Sequence, residues 1–172
     1  MSAADTSTDR AGKPQRLRTA IIFWAAFLAA ADLAIKSLAE SLLSAGEKID
    51  LGLLNIKLLY NPGVAFSLGA ELPSWVVVAA TGLIIAGLAW FLFSSAAGMS
   101  GLSRTGAALL LGGAIGNFLD RLDGQGVVDY LHTGWFPTFN LADVYITGGA
   151  TTLMVAALTS GDRTENPTAA EL

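Results

Sequence analysis

Four long apolar runs, separated by polar stretches, set the pattern of this chain. The first, residues 19–38, has about the twenty residues that cross a hydrocarbon core of roughly 30 Å. A removable secretory signal peptide is a rival reading, because basic residues precede the run and Ala29-Ala30-Ala31 could mimic a cleavage site. The apolar character continues past those alanines through Leu33, Ile35 and Leu38, and three more runs follow, which favours a retained span. The second run is 75–93, with Trp75 and Trp90 near its ends, where tryptophan serves as an interfacial anchor. The third, 105–122, carries Gly106, Gly112, Gly113 and Gly116, small residues that let helices approach closely. The fourth is 140–158.

Between the first two runs, residues 40–72 form the longest segment that does not span. Residues 49–59 mix β-favouring alternation with leucine, Asn61-Pro62-Gly63 is a strong turn signal, and Val64-Ala65-Phe66-Ser67 reads as extended. A small sheet at the membrane surface is expected there. Residues 1–18 show no apolar period and are read as a flexible tail, as is 161–172, which leaves 19–160 as one domain.

Composition agrees with a bundle of helices in lipid. The chain is 53% hydrophobic and 14% charged, with a mean hydropathy of +0.56, too apolar for an ordinary soluble domain. A net charge of −4 and no basic stripe argue against a nucleic-acid partner. Without cysteine there is no disulfide, thiolate metal site or cysteine nucleophile, and one histidine, His132, suits a rim position better than a metal cluster or a serine–histidine triad. No cofactor or metal is expected. Four spans would put both termini on one side, with Arg10, Lys13, Arg16, Arg18, Arg104 and Arg163, against Lys48 and Lys57 opposite. The excess of positive charge assigns the termini to the cytoplasm, so segments 40–72 and 123–139 meet on the outer face.

The ionisable residues cluster around that face. Asp120, Arg121, Asp123, Asp129 and Asp143 lie in or near a stretch that also holds Asn117 and Asn140. Each charge within a span costs roughly 2.5–3.5 kcal/mol on insertion scales unless it is paired or wetted, so the cluster suggests use. Asp32 and Lys36, at i and i+4 near the end of the first span, share a helix face. They form either an interfacial ion pair with a snorkelling lysine or a strut to a functional site. Asn61 is read from its spacing as a turn former. Asp143, in the first turn of the fourth helix, is explained by dipole compensation or by chemistry. Two carboxylates sharing a site retain one proton between them, so one accepts a proton while the other donates, which suffices to hydrolyse a peptide.

Five blocks carry a resemblance that decides among these readings: Asp32…Lys36; Asn61-Pro62-Gly63-Val64-Ala65-Phe66-Ser67; Gly112-Gly113-Ala114-Ile115-Gly116-Asn117-Phe118-Leu119-Asp120-Arg121; Val127-Val128-Asp129-Tyr130; and Phe139-Asn140-Leu141-Ala142-Asp143. In order and spacing the chain resembles the lipoprotein signal peptidases (signal peptidase II), intramembrane aspartyl proteases of the bacterial inner membrane. The resemblance covers about 19–160. It implies an all-α membrane protein of four transmembrane helices with a small extracytoplasmic β-cradle from the first outer segment, and an amphipathic periplasmic stretch near 131–136. It implies cleavage of prolipoproteins before the diacylglyceryl-modified cysteine, with that substrate and membrane lipid as partners and a single chain sufficient. Asp129 and Asp143 match the catalytic aspartates. Asn61, Asn117, Arg121 and Asn140 match residues that line the site and hold substrate or the antibiotic globomycin, and Asp120 is expected to support Arg121 and the helix end. The family's first block usually reads Asp-Gln-x-Ser/Thr-Lys, whereas Leu33 and Ile35 take the polar positions here. Two other classes are weighed against the protease: a non-catalytic paralogue that binds lipidated peptides, and a small ion or proton transporter. Intact Asp129 and Asp143 oppose the first, and clustering of the charges at one face opposes the second.

Overall fold

A computed structural model describes residues 6–62 and 72–161, excepting the side chains of 6–13 and 160–161. Its helices are α1 (Thr6–Leu43), α2 (Ser74–Ser95), α3 (Gly101–Arg121) and α4 (Leu141–Gly161). Of these, α1 from Pro14, α2 and α4 to Thr159 are long and apolar enough to cross a membrane. The third expected span, α3, falls outside that group, since its glycines, Asn117 and terminal charges dilute its apolar content. The result is a mostly helical, multi-pass membrane protein with three strongly apolar helices.

The helix least suited to lipid is the one most enclosed by protein. α3 packs against α1, α2 and α4, and it buries Gly106, Ala107, Ala108, Leu111, Gly112, Gly113, Gly116 and Asn117. The expected role of its small residues is realised on two faces. A Cβ on Gly112 would lie 2.8 Å from Leu28 Cβ and 3.0 Å from the Ala25 carbonyl of α1. On the other face, Gly113 meets the Ala142 carbonyl, and a Cβ on Gly106 would lie 3.0 Å from the Gly149 carbonyl of α4. Backbone-to-backbone approach thus sets the α1–α3–α4 spacing. In contrast α2 is largely exposed, with only Val77 and Leu92 buried, and Trp75 and Trp90 face outward near its ends.

α1 is longer than expected. It starts at Thr6, so most of the segment read as a flexible tail is helical, with Pro14 inside the helix. Apolar periodicity was the wrong test there: Ala11, Lys13, Gln15, Arg16 and Leu17 are good helix formers by intrinsic propensity, and extending an existing helix avoids the cost of nucleation.

A three-stranded antiparallel sheet sits beyond the helix ends in the order β1 (Lys48–Asp50), β2 (Asn55–Asn61), β3 (Val127–His132). The first two strands lie in the segment expected to form a sheet. The third corrects the expectation that the cradle comes from the first outer segment alone. It also places Leu131 and His132 in a strand rather than in an amphipathic stretch. Val127-Val128 and Tyr130 favour β structure, and Gly126 at φ 98° lets the chain turn in against the Asn61 carbonyl. Register pairs Asn61 with Val127 and Leu59 with Asp129, with a shift between Ile56 and Leu59. Residues 64–67 and the 162–172 tail lie outside the described residues.

Candidate active site

The polar cluster is assembled around a lysine. Lys36, 1% exposed, lies 2.7 Å from Asp32 Oδ2 and 2.8 Å from Asp120 Oδ2, and donates to Asn117 Oδ1 at 2.8 Å. Three partners use the three protons of the ammonium, the condition under which a buried charge is tolerable. Both carboxylates then reach further. Asp32 Oδ1 accepts the Ala142 amide at 2.9 Å, in the first turn of α4. Asp120 Oδ2 accepts the Val128 amide at 3.2 Å, in β3. One ion triad thereby ties α1 and α3 to the starts of the two elements that carry Asp129 and Asp143.

Lys36 is thus buried and bonded across the α1–α3 contact rather than snorkelling to the surface. Asp120, expected to support Arg121, also engages Lys36 and the Val128 amide, because Lys36 reaches it across the α1–α3 contact. Leu33 and Ile35 do not disturb the arrangement: Ile35 is exposed and Leu33 half-buried, while Asp32 and Lys36 turn inward. Gly116 is the matching requirement on α3. A Cβ there would lie 2.6 Å from Asp32 Oδ2.

Asp129 and Asp143 meet on this frame through Asn140. The Asn140 Nδ2 group donates to Asp129 Oδ1 at 2.7 Å and to Asn117 Oδ1 at 3.1 Å. Its backbone amide donates to Asp143 Oδ2 at 3.1 Å, and its Oδ1 accepts the Asp143 amide at 3.0 Å. That reciprocal pair is a capping box at the start of α4. Asp143 therefore does serve the helix end, and it also presents Oδ1 to Asn117 Nδ2 at 2.8 Å. The second oxygen of Asp129 accepts from Asn61 Nδ2 at 3.3 Å. So Asn61 is more than a turn former.

Arg121 closes the site from the end of α3. It donates Nη1 to the Asn117 carbonyl at 2.7 Å, and Asp143, Asp120 and Asp129 all attract its charge, Asp143 most strongly. It lines a cleft of about 60 Å³ with Pro62, Leu72, Val77 and Gly126. Asp129 is 2% exposed. Burial, and next the Asp143 charge, push its carboxyl up to about 6, against the opposing pull of Asn61, Asn140 and Lys36. Two carboxylates, one holding its proton well above the ordinary range, share a network of amide donors, with the Arg121 charge acting on both. Such a site can take a proton from water and return one to a leaving group.

A family profile described as signal peptidase (SPase) II matches residues 24–159. The chain belongs to the signal peptidase II family. A lipoprotein signal peptidase of Mycobacterium avium (strain 104) is 34% identical over 154 residues, covering 84% of this chain and 81% of that protein. One from Brucella ovis (strain ATCC 25840 / 63/290 / NCTC 10512) is 41% identical over 124 residues, covering 69% and 77%. Two bacterial membrane enzymes solved by the in meso method share the fold. The structure at 2.3 Å resolution matches with a TM-score of 0.73 and 26% identity over 90% of this chain and 94% of its own. The one at 1.9 Å gives 0.67 and 27% over 81% and 93%.

All nine polar residues singled out from the sequence converge: Asp32, Lys36, Asn61, Asn117, Asp120, Arg121, Asp129, Asn140 and Asp143. Two others stay outside. Asp123 is exposed and accepts the Gln125 amide in the turn after α3, and His132 pairs with Thr138 at the rim. The sequence reading missed the backbone amides of Val128 and Ala142 as partners, and the burial of Tyr130 beside Asp129. Tyr130 stood in one of the matched blocks, but nothing in its spacing indicated that it packs under α1 with Ala39 and Leu43.

Proposed function

We propose that this signal peptidase II is an aspartic endopeptidase that removes the signal peptide of prolipoproteins by cleaving before the diacylglyceryl-modified cysteine. The observation that carries the reading is the Asn140 bridge, which holds the Asp129 and Asp143 carboxylates at one site. One carboxylate takes a proton from water as the oxygen attacks the scissile carbonyl. The other, protonated, donates to the developing oxyanion; as the tetrahedral intermediate collapses it takes that proton back, and the first carboxyl gives the proton it took from water to the departing amine. In the resting site the proton is held by Asp129, whose carboxyl is pushed up to about 6 by burial and the Asp143 charge. Asn61, Asn117, Asn140 and Arg121 orient the carboxylates and bind substrate polar groups. Asp32, Lys36 and Asp120 keep the three supporting elements in place.

The reading extends to topology. α3 counts as a fourth span because its polar end is paired inside the protein, and the basic residues at the other end of the bundle put both termini in the bacterial cytoplasm. The site then lies at the outer face of the inner membrane. There water is available, while a lipid-bearing cysteine stays in the bilayer and its signal helix lies against the spans. One chain contains every group the chemistry needs.

The test is cleavage of a diacylglyceryl-modified prolipoprotein by the purified protein in detergent. Cleavage before the lipidated cysteine, blocked by globomycin, is expected, and Asp129→Asn or Asp143→Asn should each abolish it (a loss of at least 10³-fold) in a protein that still folds. Full activity in either variant would remove that residue from the dyad. Binding of the peptide without cleavage by the unmodified chain would favour the non-catalytic paralogue.

A further inference from the structure

A second cleft opens toward the other end of the bundle from Asp129 and Asp143. It has a volume of about 400 Å³ and lies between α1 and α3, lined among others by Ile21, Trp24, Leu28, Ala108, Leu109 and Arg104. Arg104 lies in the first turns of α3 and Arg121 ends it, so about 25 Å of helix separates the cleft's charged mouth from Arg121. From Gly101 to Leu109 the cleft follows α3 for about 12 Å into the apolar zone.

Two features say what fits. The walls are aliphatic side chains and Trp24, whose ring is in edge contact with Phe23 and Phe27. The mouth holds a cation: Arg104 is half-buried and donates Nη1 to the Met99 carbonyl at 2.7 Å, and no carboxylate among the described residues lies within ion-pair distance of it. Arg18, which donates to the Phe93 carbonyl at 2.9 Å, adds a second cation at the same end. An elongated apolar slot with a fixed positive charge at the membrane boundary is complementary to one acyl chain under an anionic head group.

We infer that the α1–α3 cleft is a binding site for an anionic membrane phospholipid, with an acyl chain along Ile21, Trp24 and Leu109 and its phosphate at Arg104. The acyl chain is as well solvated by other lipids as by this cleft, so apolar contact alone gives no preference. Selectivity must come from the head group. A single arginine near the surface is worth about a fivefold preference for a net negative head group over a zwitterionic one. The site is independent of the proteolytic reading, since it shares no residue with it.

Native mass spectrometry of the full chain, with equal phosphatidylglycerol and phosphatidylcholine of identical chains, tests this directly. About fivefold more retained phosphatidylglycerol is expected, falling most of the way toward parity in Arg104→Gln, where only Arg18 remains, and restored in Arg104→Lys. Ala20→Trp, at an exposed position on the cleft's edge, should reduce retention of both lipids, with the melting temperature reporting that the bundle is intact. Equal retention of the two lipids by the unmodified protein would overturn the proposal. So would displacement of the lipid by millimolar glycerol phosphate, which would mean that the head group alone is bound.

Discussion

At the scale of single residues, the site shows how a buried carboxylate is made useful rather than merely expensive. Asp129 is almost fully enclosed and faces a second carboxylate, and both conditions favour its neutral form. Its carboxyl therefore holds a proton up to about pH 6 in the folded protein, while in the unfolded chain it ionises near 3.8. Below about 3.8 it is protonated in both states and stability is unaffected. As pH rises toward 6 only the unfolded chain loses the proton, so stability falls through that window and then levels off. Asp129→Asn stays neutral throughout. The variant should match the parent near pH 4 and exceed it by on the order of 1–3 kcal/mol above pH 6.5. Thermal melts in detergent across pH 4–8 check this, and a constant offset would show that Asp129 is not the titrating group. Gly116 makes the complementary point. Its lack of a side chain is what admits Asp32 Oδ2 to the lysine.

At the scale of elements, the start of α4 is where fold and site coincide. Two of its first-turn amides are satisfied by site residues: Ala142 by Asp32, and Asp143 by Asn140. Asn140 thus has separable duties, its oxygen capping the helix and its amide group bridging Asp129 and Asn117. Asn140→Ala removes both. It should cost about 1 kcal/mol in capping alone, a drop in melting temperature of about 2–4 °C for a chain of this size, together with most of the activity. Asn140→Ser keeps a capping oxygen but has no amide donor, so it should recover most of the stability and little of the cleavage rate. Parallel melts and cleavage assays separate the two. Recovery of activity along with stability would mean that the amide bridge is dispensable.

At the scale of the whole molecule, α3 takes the position that its composition demands. Its polar end and small residues are poor company for lipid, and the other helices surround it. The four-span topology predicts that the α2–α3 loop is cytoplasmic and the α3–β3 turn external. The chain has no cysteine of its own, so single replacements report cleanly. Gln125→Cys should react with an impermeant maleimide in intact spheroplasts, and Ala97→Cys only after lysis; both positions are exposed. The reverse labelling would overturn the topology.

The matched blocks were needed to bring Asn61 and the Asp129–Asp143 pair into one candidate site. Hydropathy and spacing were enough to locate the four apolar helices, the small-residue face of α3 and the clustering of ionisable groups. Those properties are local: an apolar run must be buried in lipid or protein, and charges near it must find partners. Which partners they find depends on contacts across long stretches of chain. Lys36 binds Asp120 rather than only its helical neighbour Asp32, and Val127–His132 joins the sheet by pairing with a strand some seventy residues earlier. The length of α1 was misread because helix propensity, not amphipathic period, sets it. Local chemistry determined which groups had to be paired. Only the close approach of α1 and α4 to the glycines of α3 decided that the pairing would bring two carboxylates from β3 and α4 onto one asparagine.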